Sequence, residues 1–176
     1  MSIYTKKGDR GETGIFNGQR LSKDSLLIET VGVVDEANTF LGLTAAFAKD
    51  KKLREKIIKI QRNLFEIGAI LAGAKPKMDK NLPKKMEKEI DEMDKVLPVL
   101  SHFILPGGGK TGSLLFMART FVRRAERRVV ALSKKEKVSS NLLVFLNRLS
   151  DYVFTLARYS NFKEGVKEEI WKSVAK

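Results

Sequence analysis

Hydrophobic residues recur at helical spacing through most of the chain. The most regular series is Leu53, Ile57, Ile60, Leu64, Ile67 and Leu71, which are separated by steps of four and three. Residues at this spacing lie on one face of a helix, and an apolar face is buried against a core. Similar series run through residues 27–45, 86–97, 114–132 and 142–156. The pattern therefore predicts five amphipathic helices.

Residues that favour helix boundaries lie near the ends of these segments. Ser22 or Asp24 can cap the first helix, and Ser139 or Ser140 the fifth. Pro98 falls near the end of the third. No segment has a convincing strand pattern or an internal repeat. We therefore predict an all-α fold, an antiparallel five-helix bundle with ferritin-like packing.

The 176 residues suffice for one domain with a sizeable core. We predict a single domain over residues 1–176. It comprises an N-terminal glycine-rich loop at 1–21, a helical bundle at 22–163 and a C-terminal tail or short helix at 164–176. The last expectation rests on Val166, Ile170 and Val174, which follow one another at helical spacing.

Composition excludes several classes of site. The chain has no Cys and one His, which excludes disulfide scaffolds, thiol catalysis and a multi-His metal site within one subunit. We therefore predict no metal site built from protein ligands. No uncharged apolar run approaches the roughly 18 residues that span a membrane. The N-terminal residues contain no apolar signal core, so we expect a cytoplasmic protein without a membrane partner.

The charge of the chain is strongly positive. Lys and Arg number 34 against 21 Asp and Glu, a formal net charge of +13. This balance favours nucleic acid, acidic lipid or a phosphorylated small molecule as partner. A Lys-rich solubilising surface explains the same charge equally well. Composition leaves these alternatives open.

Arginines are concentrated on the fourth predicted helix. They form two rows, Arg119, Arg123 and Arg127 in one and Arg124 and Arg128 in the other. Stacked like charges destabilise a helix, so carboxylates or a bound polyanion must compensate them. Glu126 lies three residues after Arg123 and can orient it. A solvated face with scattered ion pairs is the alternative interpretation.

Two glycine-rich segments have the composition of phosphate-binding loops. Residues 5–14 combine glycines with Lys and Thr, although a flexible basic tail has similar composition. Residues 106–113, PGGGKTGS, carry Lys110 and Thr111 just where the fourth helix begins. Ile104 stands where a Walker A motif needs glycine, so the second segment alone is a weak signal.

Three polar residues fall within strongly apolar stretches. Asp35 lies between Val34 and Glu36 in the first helix, and Asn147 and Asp151 lie one turn apart in the fifth. We expect them to be buried, and a buried carboxylate needs a partner. Arg119 is the natural candidate partner for Asp35.

Together these segments resemble the PduO-type ATP:cob(I)alamin adenosyltransferases. Three blocks carry the resemblance and lie in the family's order. They are IYTKKGDRGETGIF with VGVVDEANTFLG, then FILPGGGKTGSLLFMARTFVRRAERRVV, and then NLLVFLNRLSDYVFTLAR. They extend from Ile3 to Arg158. One departure is Phe116, where the family commonly has His.

The resemblance implies a homotrimer with ATP bound between neighbouring subunits. Residues 1–21 would then form an ATP-binding loop. The implied ATP ligands are Thr5, Lys6, Lys7, Gly8, Thr13, Gly14, Lys23, Arg123, Arg124, Glu126, Arg127 and Asn147. Asp35 and Arg119 match a pair that family members place across the subunit contact, and Phe103 matches the aromatic residue beneath the corrin ring.

The implied reaction transfers the 5′-deoxyadenosyl group of ATP to the Co(I) of a reduced corrinoid such as cobalamin, and triphosphate leaves. Mg²⁺ would bridge phosphate oxygens. A flavoprotein reductase is a further partner that such a reaction admits, and nucleic acid is not expected. The alternatives from charge and pattern alone are a basic helical nucleic-acid-binding module and a helical scaffold without chemistry.

Overall fold

The computed structural model describes residues 3–76 and 78–172. Five helices dominate this part of the chain. They are α1 (Leu26–Phe47), α2 (Lys51–Leu71), α3 (Leu82–Asp94), α4 (Lys110–Ser133) and α5 (Ser140–Lys163). Two short strands, β1 (Glu12–Gly14) and β2 (Arg20–Ser22), precede them. The predicted all-α, five-helix fold is confirmed.

The helices form an antiparallel bundle around one core. Helix α1 packs against α2 and α4, α4 packs against α5, and α5 packs against α3. Leu41, Ile57, Leu64, Leu115 and Phe145 are fully buried where these helices meet. Each such side chain contributes about 1.5–3 kcal/mol relative to an exposed position. The apolar stripes of the sequence are therefore the surfaces that hold the bundle together.

Helix boundaries differ slightly from those expected. Ser25, rather than Ser22 or Asp24, caps α1, and its hydroxyl accepts a hydrogen bond from the Ile28 N–H at 3.4 Å. Ser22 instead ends β2. Ser139, one of the two candidates, is the residue that precedes α5.

The N-terminal glycine-rich segment contains a hairpin that the sequence did not predict. Strands β1 and β2 are antiparallel, with Thr13 opposite Leu21. Three residues are too few for a detectable alternation of polar and apolar positions. The Phe16 N–H donates to the Ala72 carbonyl at 2.9 Å, which attaches the hairpin to the end of α2.

The C-terminal strap, which we define as residues 164–172, is extended rather than helical. Gly165 has a φ of +67°, a left-handed conformation that favours glycine and ends a helix. The strap then turns back, and Ile170 pairs with Ile104 in an antiparallel bridge. These nine residues contain no helix. Val174, which supported the helix, lies outside the described residues.

The helices of the described ranges do not have the properties of transmembrane segments. None of them combines the length and the hydropathy needed to cross a bilayer.

Candidate active site

One row of α4 arginines is neutralised within the chain. Arg124 forms an ion pair with Glu36 of α1, and Arg128 Nη2 lies 3.3 Å from Glu29 Oε1. The guanidinium of Arg124 also lies 5.3 Å from the centre of the Phe121 ring. Carboxylates therefore compensate this row, which was one of the two expected solutions.

The other row has no such compensation. Arg119, Arg123 and Arg127 form no ion pair with any residue in the described ranges. Arg127 Nη1 donates to the Arg123 carbonyl at 3.3 Å, so these two share one face. Three neighbouring cations without an ion-pair partner form a surface that attracts an anion.

Arg119 occupies the most sheltered place in this row. Burial, and secondly the charge of Arg123, lower the pKa of Arg119, while Asp151 acts in the opposite direction. Its guanidinium lies 5.2 Å from the centre of the Phe154 ring. Arginine keeps its charge in proteins, so Arg119 brings a partly desolvated cation to this face.

A surface depression of about 430 Å³ lies beside the exposed arginines. Its charged and polar lining comprises Arg123, Glu126, Arg127, Lys134 and Asn147. Asn147 Nδ2 donates to Glu126 Oε1 at 2.9 Å, which joins α5 to α4 here. The structure thus brings together four of the predicted ATP ligands.

Two expectations about these residues were wrong. Asn147 and Asp151 are exposed rather than buried, because they lie on the outer side of α5 next to its buried face. Glu126 binds Asn147, and not Arg123 as spacing suggested. Asp151 instead accepts a hydrogen bond from Arg148 Nη1 at 2.8 Å.

Asp35 is also exposed, contrary to expectation. Apolar residues surround α1 on several sides, so the sequence could not reveal which side faces outward. Within the described ranges Asp35 has no ion-pair partner, and the candidate pair with Arg119 is not formed inside one chain. A pair across a subunit contact stays a prediction.

The N-terminal segment presents cations and backbone groups to solvent. Thr5, Lys6, Lys7, Gly14 and Lys23 are exposed. Gly8 and Thr13 are half-buried. Lys6 has a φ of +56°, which is uncommon for a residue with a side chain and recurs where a ligand is held.

Hydrogen bonds from Arg20 nonetheless hold this segment in place. Arg20 Nη2 donates to the Lys7 carbonyl at 2.7 Å, and Arg20 Nε to Glu12 Oε2 at 3.1 Å. A methyl group built on Gly8 would lie 3.3 Å from Lys23 Nζ, so glycine keeps room for that ammonium group. No hydrogen bond or ion pair in the described part of the chain joins this segment to α4. The two halves of the predicted site therefore make no polar contact with each other within the described part of one chain.

The PGGGKTGS segment is occupied by a side chain from α5. Asn161, which is buried, donates from Nδ2 to the Gly107 carbonyl at 2.9 Å and accepts from the Gly109 N–H at 3.0 Å. Lys110 Nζ lies 3.8 Å from the centre of the Phe47 ring. The groups that suggested phosphate binding thus have partners within the protein.

Phe103 is placed on the surface next to this segment. It is 80% exposed, and its ring lies edge-on to Trp171 with 6.4 Å between ring centres. A phenylalanine between Ile and Leu would ordinarily be buried in the core, so its exposure indicates a contact with a ligand or a partner. Phe116, the departure from the family pattern, is buried edge-on against Phe154.

The bundle, the cationic depression and the exposed aromatic residue define a helical protein with an anion-binding site. The profile of the cobalamin adenosyltransferase family matches residues 3–160. The corrinoid adenosyltransferase of Bacillus subtilis (strain 168) is 44% identical over 174 residues, covering 94% of this chain and 90% of that protein. The human corrinoid adenosyltransferase MMAB is 41% identical, with coverage of 96% and 72%.

Solved structures agree with these relatives. A single-residue variant of the PduO-type ATP:corrinoid adenosyltransferase from Lactobacillus reuteri, complexed with cobalamin and ATP, superposes with a TM-score of 0.94. It is 36% identical in sequence, and the match covers 98% of this chain and all of that one. The chain belongs to the cobalamin adenosyltransferase family, which confirms the resemblance seen in its sequence. It is therefore an enzyme.

Three residues that matter in this region were missed by sequence reasoning. The roles of Asn161 and Arg158 could not be recognised in the sequence, because these are polar residues on the largely apolar, buried face of α5. Trp171 carried a usable signal, since a single tryptophan in a polar segment needs a contact to cover its ring.

Proposed function

We propose that this chain carries out its family's reaction, transfer of the 5′-deoxyadenosyl group of ATP to a corrinoid, at a site shared by two copies. The observation that supports sharing is that, in the described part of one chain, no hydrogen bond or ion pair joins the N-terminal cations to the residues of the α4 depression. A trimer in which each segment faces its counterpart on a neighbour would complete the site.

Exposed apolar residues on α1 and α4 support such an assembly. Leu43 and Phe47 of α1 are 45% and 40% exposed, and Met117 of α4 is 50% exposed. Apolar groups of this size on a bundle surface favour contact with another protein surface. Asp35 lies on α1 as well, where a neighbour's Arg119 would give it the partner that the single chain lacks.

In the proposed site the N-terminal segment surrounds the triphosphate. Thr5, Lys6, Lys7 and Gly8 would offer hydroxyl, ammonium and backbone N–H groups, with Thr13, Gly14 and Lys23 nearby. Arg123, Arg127 and Asn147 would line the nucleotide from α4 and α5. Arg124 would join them by sharing its guanidinium between the nucleotide and Glu36.

Mg²⁺ is proposed to accompany ATP. The described residues contain no group of three or more His, Cys, Asp or Glu side chains placed to hold a metal ion. In the proposed complex the phosphate oxygens of ATP are therefore the expected ligands of Mg²⁺.

The proposed reaction requires little acid–base catalysis by the protein. The electron pair of Co(I) forms the bond to C5′, the C5′–O bond breaks, and triphosphate leaves with the electron pair of that bond. Co(I) is a strong nucleophile without assistance. The protein must hold C5′ in line with cobalt and stabilise the charge that develops on the leaving group, which the cationic side chains can do.

Phe103 is proposed to act on the corrinoid. Its exposed ring would cover the lower face of the macrocycle and exclude water and other axial ligands. Reduction of Co(II) to Co(I) is easier without an axial donor, so an apolar ring at this place raises the potential of the couple. A flavoprotein reductase is the proposed electron donor.

The direct test measures alkylcobalt formation by absorbance after ATP is added to chemically reduced cobalamin. Arg123→Ala and Asn147→Ala should lower kcat/KM for ATP roughly 10- to 100-fold, since a hydrogen bond to a charged group contributes about 1.5–3 kcal/mol. Arg62→Ala, which removes an exposed arginine of α2, is the matched control and should be neutral.

Calorimetry with MgATP at moderate salt distinguishes this proposal from the remaining alternative, a basic nucleic-acid-binding module. The proposal expects saturable binding with a fixed stoichiometry that Arg123→Ala weakens. Tight binding to long nucleic acid that falls steeply with salt, with none to MgATP, would favour the nucleic-acid-binding module and contradict the proposal.

A further inference from the structure

Phe103 lies outside every helix, and its backbone is held by the C-terminal strap. The Trp171 N–H donates to the Phe103 carbonyl, and the Leu105 N–H donates to the Glu169 carbonyl, both at 2.8 Å. The Phe103 ring contacts Trp171 of the same segment. The position of Phe103 therefore depends on the position of the strap.

An open, largely apolar depression separates part of the strap from the bundle. A cavity of about 450 Å³ lies between the strap, the α3–α4 connection and the end of α5. Its lining is largely apolar and includes Val99, Ile104, Phe162 and Ile170. Dispersion contacts are reduced across such a gap, so specific interactions at the edges of the strap gain weight in holding it.

One buried arginine makes these specific interactions. Arg158 of α5 is 4% exposed, and its Nε and Nη2 lie 2.7 and 3.0 Å from the two carboxylate oxygens of Glu168 in the strap. Nη2 also donates to the Pro98 carbonyl at 2.7 Å. A single side chain thus joins α5, the strap and the α3–α4 connection.

The geometry of the Arg158–Glu168 contact is better suited to fixing the position of the strap than to stabilising the fold. A bidentate pair between a guanidinium and a carboxylate fixes both distance and orientation. Burying such a pair gives little net stability over apolar side chains of the same volume. A charged pair at the edge of an apolar cavity is therefore explained by the orientation that it imposes.

We propose that Arg158 is a positioning residue for the adenosyl transfer. Through Glu168 it fixes the strap, and through the pairing of residues 169–171 with 103–105 it holds the Phe103 ring where the corrinoid binds. This inference rests on the proposed function of Phe103, and the role proposed for the buried Arg158 is exerted through the strap rather than on a substrate.

Trp171 allows the strap to be observed without any activity measurement, because it is the single tryptophan of the chain. Glu168→Gln removes one charge from the pair and leaves Arg158 without its carboxylate. Glu169→Gln is the matched control, since this neighbouring side chain is exposed and only its backbone carbonyl pairs with Leu105. We expect red-shifted and more readily quenched Trp171 fluorescence in Glu168→Gln, and wild-type fluorescence in Glu169→Gln.

Kinetics then connect the strap to the reaction. Starting from cob(II)alamin with a reductant, Glu168→Gln should lower kcat about tenfold, as expected for a displaced positioning group, with KM for ATP unchanged. The loss should shrink when chemically reduced cob(I)alamin is supplied, since Phe103 assists the reduction. Glu168→Asp, which keeps the charge on a shorter side chain, should restore part of kcat.

Several results would overturn the proposal. Identical Trp171 fluorescence in Glu168→Gln and Glu169→Gln would mean that the pair does not hold the strap. A displaced Trp171 with unchanged kcat would mean that the strap does not position Phe103. If circular dichroism finds Glu168→Gln unfolded, the same comparisons are made with Glu168→Asp. Failure of the wild-type chain to form alkylcobalt would instead refute the proposed function, and the fluorescence comparison would still test the Arg158–Glu168 contact.

Discussion

The two glycine-rich segments have similar composition and different structures. In residues 5–14 the lysines face solvent, and Lys6 adopts a left-handed backbone conformation. In residues 106–113 the Asn161 amide occupies the turn, and Lys110 lies over Phe47. In the first segment a Cβ added at Gly11 or Gly14 would meet no atom within 4 Å, so these glycines leave open space. In the second segment a Cβ added at Gly108 or Gly112 would collide with Asn161, so these glycines make room for a neighbouring side chain. Composition alone does not distinguish these two uses.

The largest difference between the two segments is expected when a lysine of the first segment is removed. Lys6→Ala is expected to lower kcat/KM for ATP roughly 10- to 100-fold, because it removes a charged hydrogen bond worth about 1.5–3 kcal/mol. Its free energy of unfolding should change by less than about 0.5 kcal/mol, as for other surface positions. Steady-state kinetics and urea unfolding measure the two quantities.

The control for this variant is Lys80→Ala, which removes an exposed lysine from the connection before α3. It should leave both quantities unchanged. Equal losses of kcat/KM in Lys6→Ala and Lys80→Ala would reduce the role of Lys6 to a contribution to net charge.

A methyl group added to the second segment should instead affect folding. A Cβ on Gly112 would collide with Asn161 Oδ1, so Gly112→Ala should destabilise the chain by about 1–3 kcal/mol, the usual range for overpacking. KM for ATP should stay near the wild-type value in the folded fraction. Denaturant unfolding followed by circular dichroism provides the measurement.

Gly68→Ala is the matched helix substitution, because a methyl group there meets no atom within 4 Å. It should stabilise α2 by about 0.5–1 kcal/mol, the helix preference of alanine over glycine. If Gly112→Ala behaved like Gly68→Ala, the tight fit of Asn161 against the segment would be wrong.

The smallest effect is expected at Lys110. Lys110→Met keeps an apolar contact with Phe47 and loses only the attraction between the cation and the ring, about 0.5–1 kcal/mol at an exposed site. Since Lys110 does not bind phosphate in this account, kcat/KM for ATP should change less than about twofold. A loss as large as that of Lys6→Ala would restore the phosphate-binding interpretation of PGGGKTGS.

Sequence reasoning predicted the features that depend on short-range spacing. The stripes from Leu53 to Leu71 gave α2 and its buried face, and the four-residue steps from Arg119 to Arg127 placed those arginines on one side of α4. It was wrong about Asp35, because a helix that is apolar on several sides does not reveal which side faces outward.

Contacts between residues far apart in the chain could not be predicted from the sequence. The Asn161 amide meets Gly107 from 54 residues away, and the Arg158 guanidinium meets the Pro98 carbonyl from 60 residues away. Pairings of this kind depend on how helices pack and leave no local pattern. The proposed division of the ATP ligands between the N-terminal segment and helices α4 and α5 likewise depends on the fold.

The central claim is that neighbouring copies complete one site, and subunit mixing tests it most directly. Lys6→Ala and Arg123→Ala, each nearly inactive alone, are coexpressed with different tags, and the assemblies that carry both tags are purified and assayed. If one copy supplies Lys6 and its neighbour Arg123, each mixed assembly of the proposed trimer should contain one intact site in three, so about a third of the sites should be active. Mixed assemblies that remain as inactive as either variant would mean that both residues act from the same chain, and would contradict the account.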